Sequence, residues 1–346
     1  MDCVDNPRHP VTRALGAFPL VFVGSVLVWA FYSFACSISI GYVLLHRQSG
    51  QPSFRWTAEI IIFCTLWFLA VFSLVKVCKL GPGFVRESDH SSTVADEESY
   101  SLVPKDALED RETQRMAKAD GSRRYCRKCR LHKPDRAHHC RITGACILKM
   151  DHYCPFVFCT IGHRNYKAFI LFLGYTSFLG ITTAISTGLR LLQYAEDATA
   201  LDYELTSVNW ALLLLIAAMF SLIIVAFTAH HLYMISKNRT TIENVERTNR
   251  LRLDESSSEA RRWRDDNMLT RDERRKLRKA AAKANIYDLG AKENFKQVFG
   301  PWSWRCFDPR VPTPGDGLHF PVNHEHHARL QSLTEAIRLR VDENHV

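Results

Sequence analysis

Six cysteines (Cys126, Cys129, Cys140, Cys146, Cys154 and Cys159) and four histidines (His132, His138, His139 and His152) fall within one polar stretch. Cys126-x-x-Cys129 followed by His139 and Cys146 offers three thiolates and an imidazole. That set suits a closed tetrahedral structural zinc in a reducing compartment, not a disulfide framework. Metal binding would supply the free energy that so short and polar a loop cannot gain by burial. Cys140, His152, Cys154 and Cys159 remain, and spacing alone leaves open a second zinc site or a reactive centre. A reactive centre needs a nucleophilic thiol, a base to take its proton and a group that holds the base in one tautomer. Asp151, His152 and Cys154 supply these types within four residues. Beside an apolar segment, Cys154 would sit at a membrane surface, which suits a lipid thioester.

The elements that must position these residues are apolar runs alternating with charged ones, an arrangement that the slightly negative mean hydropathy averages away. Four segments, roughly 18–45, 58–78, 168–189 and 208–235, have the length of a bilayer-spanning helix. The expected fold is an all-α polytopic membrane protein with a zinc-binding cysteine-rich domain between the second and third spans. Its divisions are an N-terminus (1–17), spans 1–2 (18–78), a linker (79–122), the cysteine-rich domain (123–167), spans 3–4 (168–235) and a tail (236–346). Lysine and arginine concentrate in 79–167 and after 236, so these parts and both termini are expected in the cytosol. The first span reads as a signal anchor and not a cleaved signal peptide. Residues 88–122 read as a flexible linker, and 245–283 as a solvated, mixed-charge helix. Glu59 reads as interfacial, as do His230 and His231 at the end of the fourth span, over a metal-binding alternative for the two histidines. The net charge of +9 suits anionic headgroups or a phosphorylated ligand such as coenzyme A, and no separate basic and aromatic surface points to nucleic acid.

The stretch from Tyr125 to Phe169 contains C-x-x-C-x3-KP-D-R-A-HHC, C-I-L-K-M-DHYCP and G-x-x-N-x3-F, and it resembles the cysteine-rich domain of DHHC-type protein S-palmitoyltransferases. Thr240-Thr241-Ile242-Glu243 resembles the family's TTxE motif, and Asn294-Phe295 with Val298-Phe299-Gly300 resembles its C-terminal segment. The resemblance implies a two-step reaction: palmitoyl-CoA acylates Cys154, and a membrane-proximal cysteine of a substrate protein takes the acyl group. It implies His152 as general base, Asp151 as its orienting partner, and Cys126, Cys129, His139 and Cys146 as zinc ligands. Arg124 and Lys133 fall where the family meets the CoA phosphates, and Phe156 where it presents an aromatic surface to the acyl chain. A Golgi or endoplasmic-reticulum membrane is the family-level expectation.

The departures are specific. The family's second zinc site would need Cys140, Thr143, Tyr153 and Thr160 as ligands, three of which cannot serve, so one zinc is expected, with Tyr153 and Phe158 filling that lobe by packing. The motif reads DHYC, which changes a zinc ligand and spares the base. Gly81-Pro82-Gly83 replaces an Asp-Pro-Gly turn. Glu243 and the threonines before it are expected to cap a helix or anchor the tail, and Asn294 to clasp the catalytic loop. The competing function is a zinc-loop membrane adaptor with little or no catalysis.

Overall fold

The computed structural model describes residues 10–46, 54–86, 124–196, 204–246, 285–326, 328 and 332. Its long helices coincide with the apolar runs, because hydrocarbon offers no partner to a backbone amide and only internally bonded helices or closed barrels can cross it. Helix α1 (Pro10–Phe31) continues as a wider π-helical segment over Tyr32–His46, α2 is Phe54–Leu80, α3 is Tyr166–Glu196 and α4 is Glu204–Ser236. The stretches long and apolar enough to span a bilayer are Gly16–Ile40, Phe54–Leu80, Tyr166–Glu196 and Val208–Ser236, so this is a multi-pass membrane protein. The third span runs about two turns beyond its expected end and takes in Arg190. The linker expected over 88–122 and the charged tail segment over 247–283 lie outside the described residues.

Helix α3 packs against both α2 and α4. At Gly180 an added Cβ would collide with Ser221 Oγ of α4, so the missing side chain sets the close approach of these two helices. Two indoles bond across the spans: Trp210 Nε1 donates to Ser37 Oγ (2.9 Å), and Trp29 Nε1 to Asn209 Oδ1 (3.1 Å). Glu59 is more than an interfacial charge, since it accepts from Arg55 Nε (3.0 Å) and from Arg190 Nη2 (2.6 Å), which ties α2 to α3.

The cysteine-rich region folds as three two-stranded antiparallel hairpins: β1 (Tyr125–Cys126) with β2 (Leu131–His132), β3 (His138–Cys140) with β4 (Ala145–Ile147), and β5 (His152–Cys154) with β6 (Cys159–Ile161). Hairpins this short are not stable alone. The segment after α2 braces them: Val85 N donates to Cys146 O, Leu148 N to Gly83 O and Arg164 N to Pro82 O. Gly83 adopts φ 86°, which the Gly-Pro-Gly turn supplies without a Cβ. Gly162 sits where a Cβ would lie 2.5 Å from Ile147 Cγ2 and 2.6 Å from Pro82 O. The tail adds α5 (Thr241–Glu246), α6 (Ala291–Phe299) and a 3₁₀ turn at Trp304–Phe307.

Candidate active site and zinc cluster

The turn of the first hairpin, with Arg130 at φ 56° and Arg130 N bonded to Cys126 O (2.7 Å), folds Cys126 and Cys129 back on themselves. The second hairpin pairs His139 with Cys146. The ligand atoms of Cys126, Cys129, His139 and Cys146 lie within 4.8 Å of one another. His139 Nδ1 is 3.2, 3.6 and 4.0 Å from the sulfurs of Cys129, Cys126 and Cys146. Zinc bonds of about 2.3 Å to sulfur and 2.0 Å to nitrogen at tetrahedral angles require about 3.5 Å, so the donor set and its spacing fit zinc.

Strand alternation arranges the third hairpin. His152 and Cys154 share one face of β5, while Tyr153 takes the other and stands opposite Thr160. His152 Nδ1 is 2.7 Å from Asp151 Oδ2, so the ring donates from Nδ1 and leaves Nε2 free to accept. Burial disfavours the imidazolium, but hydrogen bonding and electrostatic interaction with Asp151 and Cys154 outweigh it and hold His152 at about 9. The Asp151 carboxylate is buried and is held by Thr241 N to Oδ1 (2.9 Å) and Thr241 Oγ1 to Oδ2 (3.2 Å), with Thr241 Oγ1 also donating to Asp151 O (2.5 Å). Asp151 and His152 are thus hydrogen-bonded to each other, with Cys154 on the same face of β5 as His152.

The tail is fastened to this group by a fully buried arginine. Arg136, at φ 61°, donates through Nε and Nη2 to Glu243 Oε1 and Oε2 (2.7 and 2.8 Å), and through Nη1 and Nη2 to Asn238 Oδ1 and O (2.9 and 3.0 Å). Its guanidinium stacks over Tyr287 and Phe320, with 4.6 and 5.0 Å to the ring centroids. Glu243 also accepts from Thr240 N (3.0 Å) while Thr240 Oγ1 accepts from Glu243 N (3.2 Å), so the helix cap and the anchor, weighed as alternatives, coexist. Asn294 departs from expectation: it donates to Ser236 O (2.9 Å) and Asp288 Oδ1 (2.6 Å) and accepts from Leu289 N (3.0 Å), clasping the tail to the end of α4 and not to the catalytic loop.

In the lobe around Cys140, Thr143 Oγ1 and Thr160 Oγ1 each lie 3.2 Å from Cys140 Sγ and 2.5 Å from each other. Hydroxyls take the places of ligands, and Tyr153 packs beside Cys140, Ile147 and Met150. Phe158 does not fill this lobe: its ring lies against Gly16 of α1, where a Cβ would come within 2.8 Å, because φ 49° at the end of the β5–β6 turn swings it toward the membrane. Arg124 and Lys133 face each other across the open end of the first hairpin, joined by Lys133 N to Arg124 O (2.5 Å), and the Arg124 guanidinium also donates to Ala137 O (2.8 Å). Phe156, 55 % exposed, follows the Cys154-Pro155 pair.

Several contributors carried no signal of their own in the sequence. Arg136, Asn238, Tyr287 and Phe320 meet across more than a hundred residues. His231, expected at the interface, is 0 % exposed beside His152, with ring centroids 5.8 Å apart. The neighbouring Lys149 is lowered to about 7 by burial and by Arg136.

The DHHC palmitoyltransferase model matches residues 119–248. The chain is 32% identical to Palmitoyltransferase PFA3 of Candida albicans over 94% of this chain and 92% of that protein, and 31% identical to Palmitoyltransferase PFA3 of Yarrowia lipolytica over 92% and 79%. It is 28% identical to Palmitoyltransferase ZDHHC2 of Rattus norvegicus, over 91% and 78%. With this full-length similarity, four spans and a Cys₃His cluster between the second and third, the chain belongs to the DHHC palmitoyltransferase family.

Proposed function

We propose that this protein S-palmitoyltransferase forms its acyl-enzyme on Cys154, with His152 as general base and Asp151 as the group that orients it. The observation that carries the reading is the 2.7 Å Asp151–His152 contact on a strand that turns His152 and Cys154 to one face. His152 Nε2 takes the Sγ proton, and the thiolate attacks the thioester carbonyl of palmitoyl-CoA. The carbon–sulfur bond to CoA breaks, the CoA thiolate takes the proton held by His152 and leaves as the free thiol, and His152 returns to the neutral base. In the second half the thiol of a substrate cysteine gives its proton to His152, its sulfur attacks the acyl carbon, and Cys154 is released as a thiol once that proton returns. A base raised to about 9 holds the imidazolium at neutral pH, which stabilises the thiolate before acylation.

Zinc at Cys126, Cys129, His139 and Cys146 supplies structural cross-linking and no step of the reaction. The threonine-lined lobe around Cys140 supports a count of one zinc per chain. Arg124 and Lys133, paired at the hairpin mouth, suit the CoA phosphates, and exposed Phe156 suits the acyl chain where it leaves the thioester. The basic loop and tail support a cytosolic cysteine-rich domain and cytosolic termini, and the family-level reading of the membrane is Golgi or endoplasmic reticulum.

The test is detergent-purified protein incubated with alkyne-tagged palmitoyl-CoA, with zinc measured on the same sample. Hydroxylamine-labile label is expected on wild type with about one zinc per chain, with none on Cys154→Ala and label reduced about a hundredfold or more in His152→Ala. Unlabelled wild type that holds one zinc per chain would favour the adaptor.

A further inference from the structure

Helix α4 brings a third donor to the catalytic pair. His231 is 0 % exposed, its ring packs edge-on to Phe227 and Phe169 (centroids 4.6 and 5.4 Å), and its Nδ1 lies 3.4 Å from the Tyr166 hydroxyl. Its Nε2 is buried and has no hydrogen-bond partner among the described residues. An unsatisfied buried nitrogen destabilises the fold, so a ligand that satisfies it is favoured there. One donor atom each of Asp151, His152 and His231 lies within 4.8 Å of the other two.

We propose that Asp151, His152 and His231 form a second, inhibitory zinc site that switches the enzyme off by taking His152 Nδ1 away from Asp151. This rests on His152 being the base of the proposed reaction. Two imidazoles and a carboxylate select zinc over magnesium or calcium, which prefer all-oxygen sites. With Nδ1–H of His231 donated to Tyr166, the Nε2 lone pair is open, the arrangement usual for a metal-bound histidine whose other nitrogen is anchored. Asp151 is already held by Thr241 N and Oγ1. Ligands of a tetrahedral zinc with bonds of about 2.0 Å stand about 3.3 Å apart, so shifts of about 1 Å or less close the site. The fourth position falls to water or to the Cys154 sulfur. Binding at His152 Nδ1 releases to solvent the proton that Asp151 holds and lowers the basicity of Nε2, so the Cys154 thiol loses an effective acceptor. With fewer thiolates than the Cys126–Cys146 cluster, the site is the weaker one, and zinc leaves it first.

The experiment uses full-length protein with its structural zinc in place, equilibrated with citrate-buffered Zn²⁺ up to micromolar. It reads bound zinc per chain and the rate of acyl-enzyme formation. Wild type is expected to take up a second zinc over the range in which labelling falls, with recovery in zinc-free citrate and no response to millimolar Mg²⁺. His231→Gln is expected to remain at one zinc and, relative to its own zinc-free rate, to need at least about tenfold more Zn²⁺ for inhibition. His152→Gln, read by zinc content alone, is also expected to stop at one, and Cys140→Ser, in the threonine-lined lobe, to bind both. A single zinc in wild type throughout, or a second zinc retained in both His231→Gln and His152→Gln, overturns the site. Failure of wild type holding only its structural zinc to label would strike the proposed catalysis, while the zinc counts still decide the site.

Discussion

At the scale of the residue, the centre is governed by which group holds which proton. His152 has an ordinary value near 6.5 and is raised to about 9 in the fold. A raised base contributes stability that is complete below about 6.5 and is lost as pH rises through about 9. The shift corresponds to at most about 3 kcal/mol, shared between Asp151 and Cys154. In Asp151→Asn the loss of thermal stability relative to wild type should therefore be greatest near pH 6.5 and shrink toward pH 9.5, leaving a pH-independent remainder from the Thr241 contacts. Thermal unfolding in detergent across that range checks it, and a gap that widens with pH would refute the assignment. Asp151, His152 and Cys154 were legible in the sequence because adjacency forces them together. His231 was not, because a histidine near the end of an apolar span looks the same whether it meets headgroups or the His152 imidazole.

At the scale of the element, the catalytic hairpin is held from outside. Helix α5 and the Asn238 turn converge on Arg136, whose charge is wholly buried and answered by a bidentate carboxylate. Removing one partner of such a pair leaves an uncompensated buried charge, so Glu243→Gln or Arg136→Ala should destabilise the protein by about 3–5 kcal/mol. Arg136→Lys should fail to restore it, because an ammonium cannot reproduce the planar fork or its stacking on Tyr287 and Phe320. Melting temperature and acyl-enzyme yield should fall together in all three variants, and full stability of Arg136→Lys would show that charge alone suffices. The capping box at Thr240 was readable three residues apart. Its second use as an anchor to Arg136 was not, since nothing local to either residue refers to the other.

At the scale of the molecule, the tail segment 308–326 straps the zinc lobe and the catalytic loop to the spans. Lys167 N donates to Thr313 Oγ1 (3.2 Å), His163 Nε2 meets Gly315 O (3.2 Å), Leu318 packs on the cluster around Cys126 and Cys146, and the Phe320 ring lies under Arg136 and Lys149. Burial, aided by Lys149, pushes His163 down to about 4, so it bonds the strap as a neutral ring. Ending the chain after residue 307 should abolish acyl-enzyme formation while leaving the protein in the membrane fraction, because the four spans need no tail to insert. An active truncated protein would reduce the strap to a cover.

The sequence by itself determined the four spans, the Cys₃His donor set and the adjacency of Asp151, His152 and Cys154. Apolar length, ligand chemistry and contiguous residue types are local properties that no packing can reassign. Only the tertiary structure decided that Phe158 serves α1, that Asn294 serves α4, that threonine hydroxyls surround Cys140, and that Arg136 and His231 belong to the centre. Those outcomes depend on which surfaces meet after the chain has folded back across the membrane, and distance along the chain carries almost no information about them.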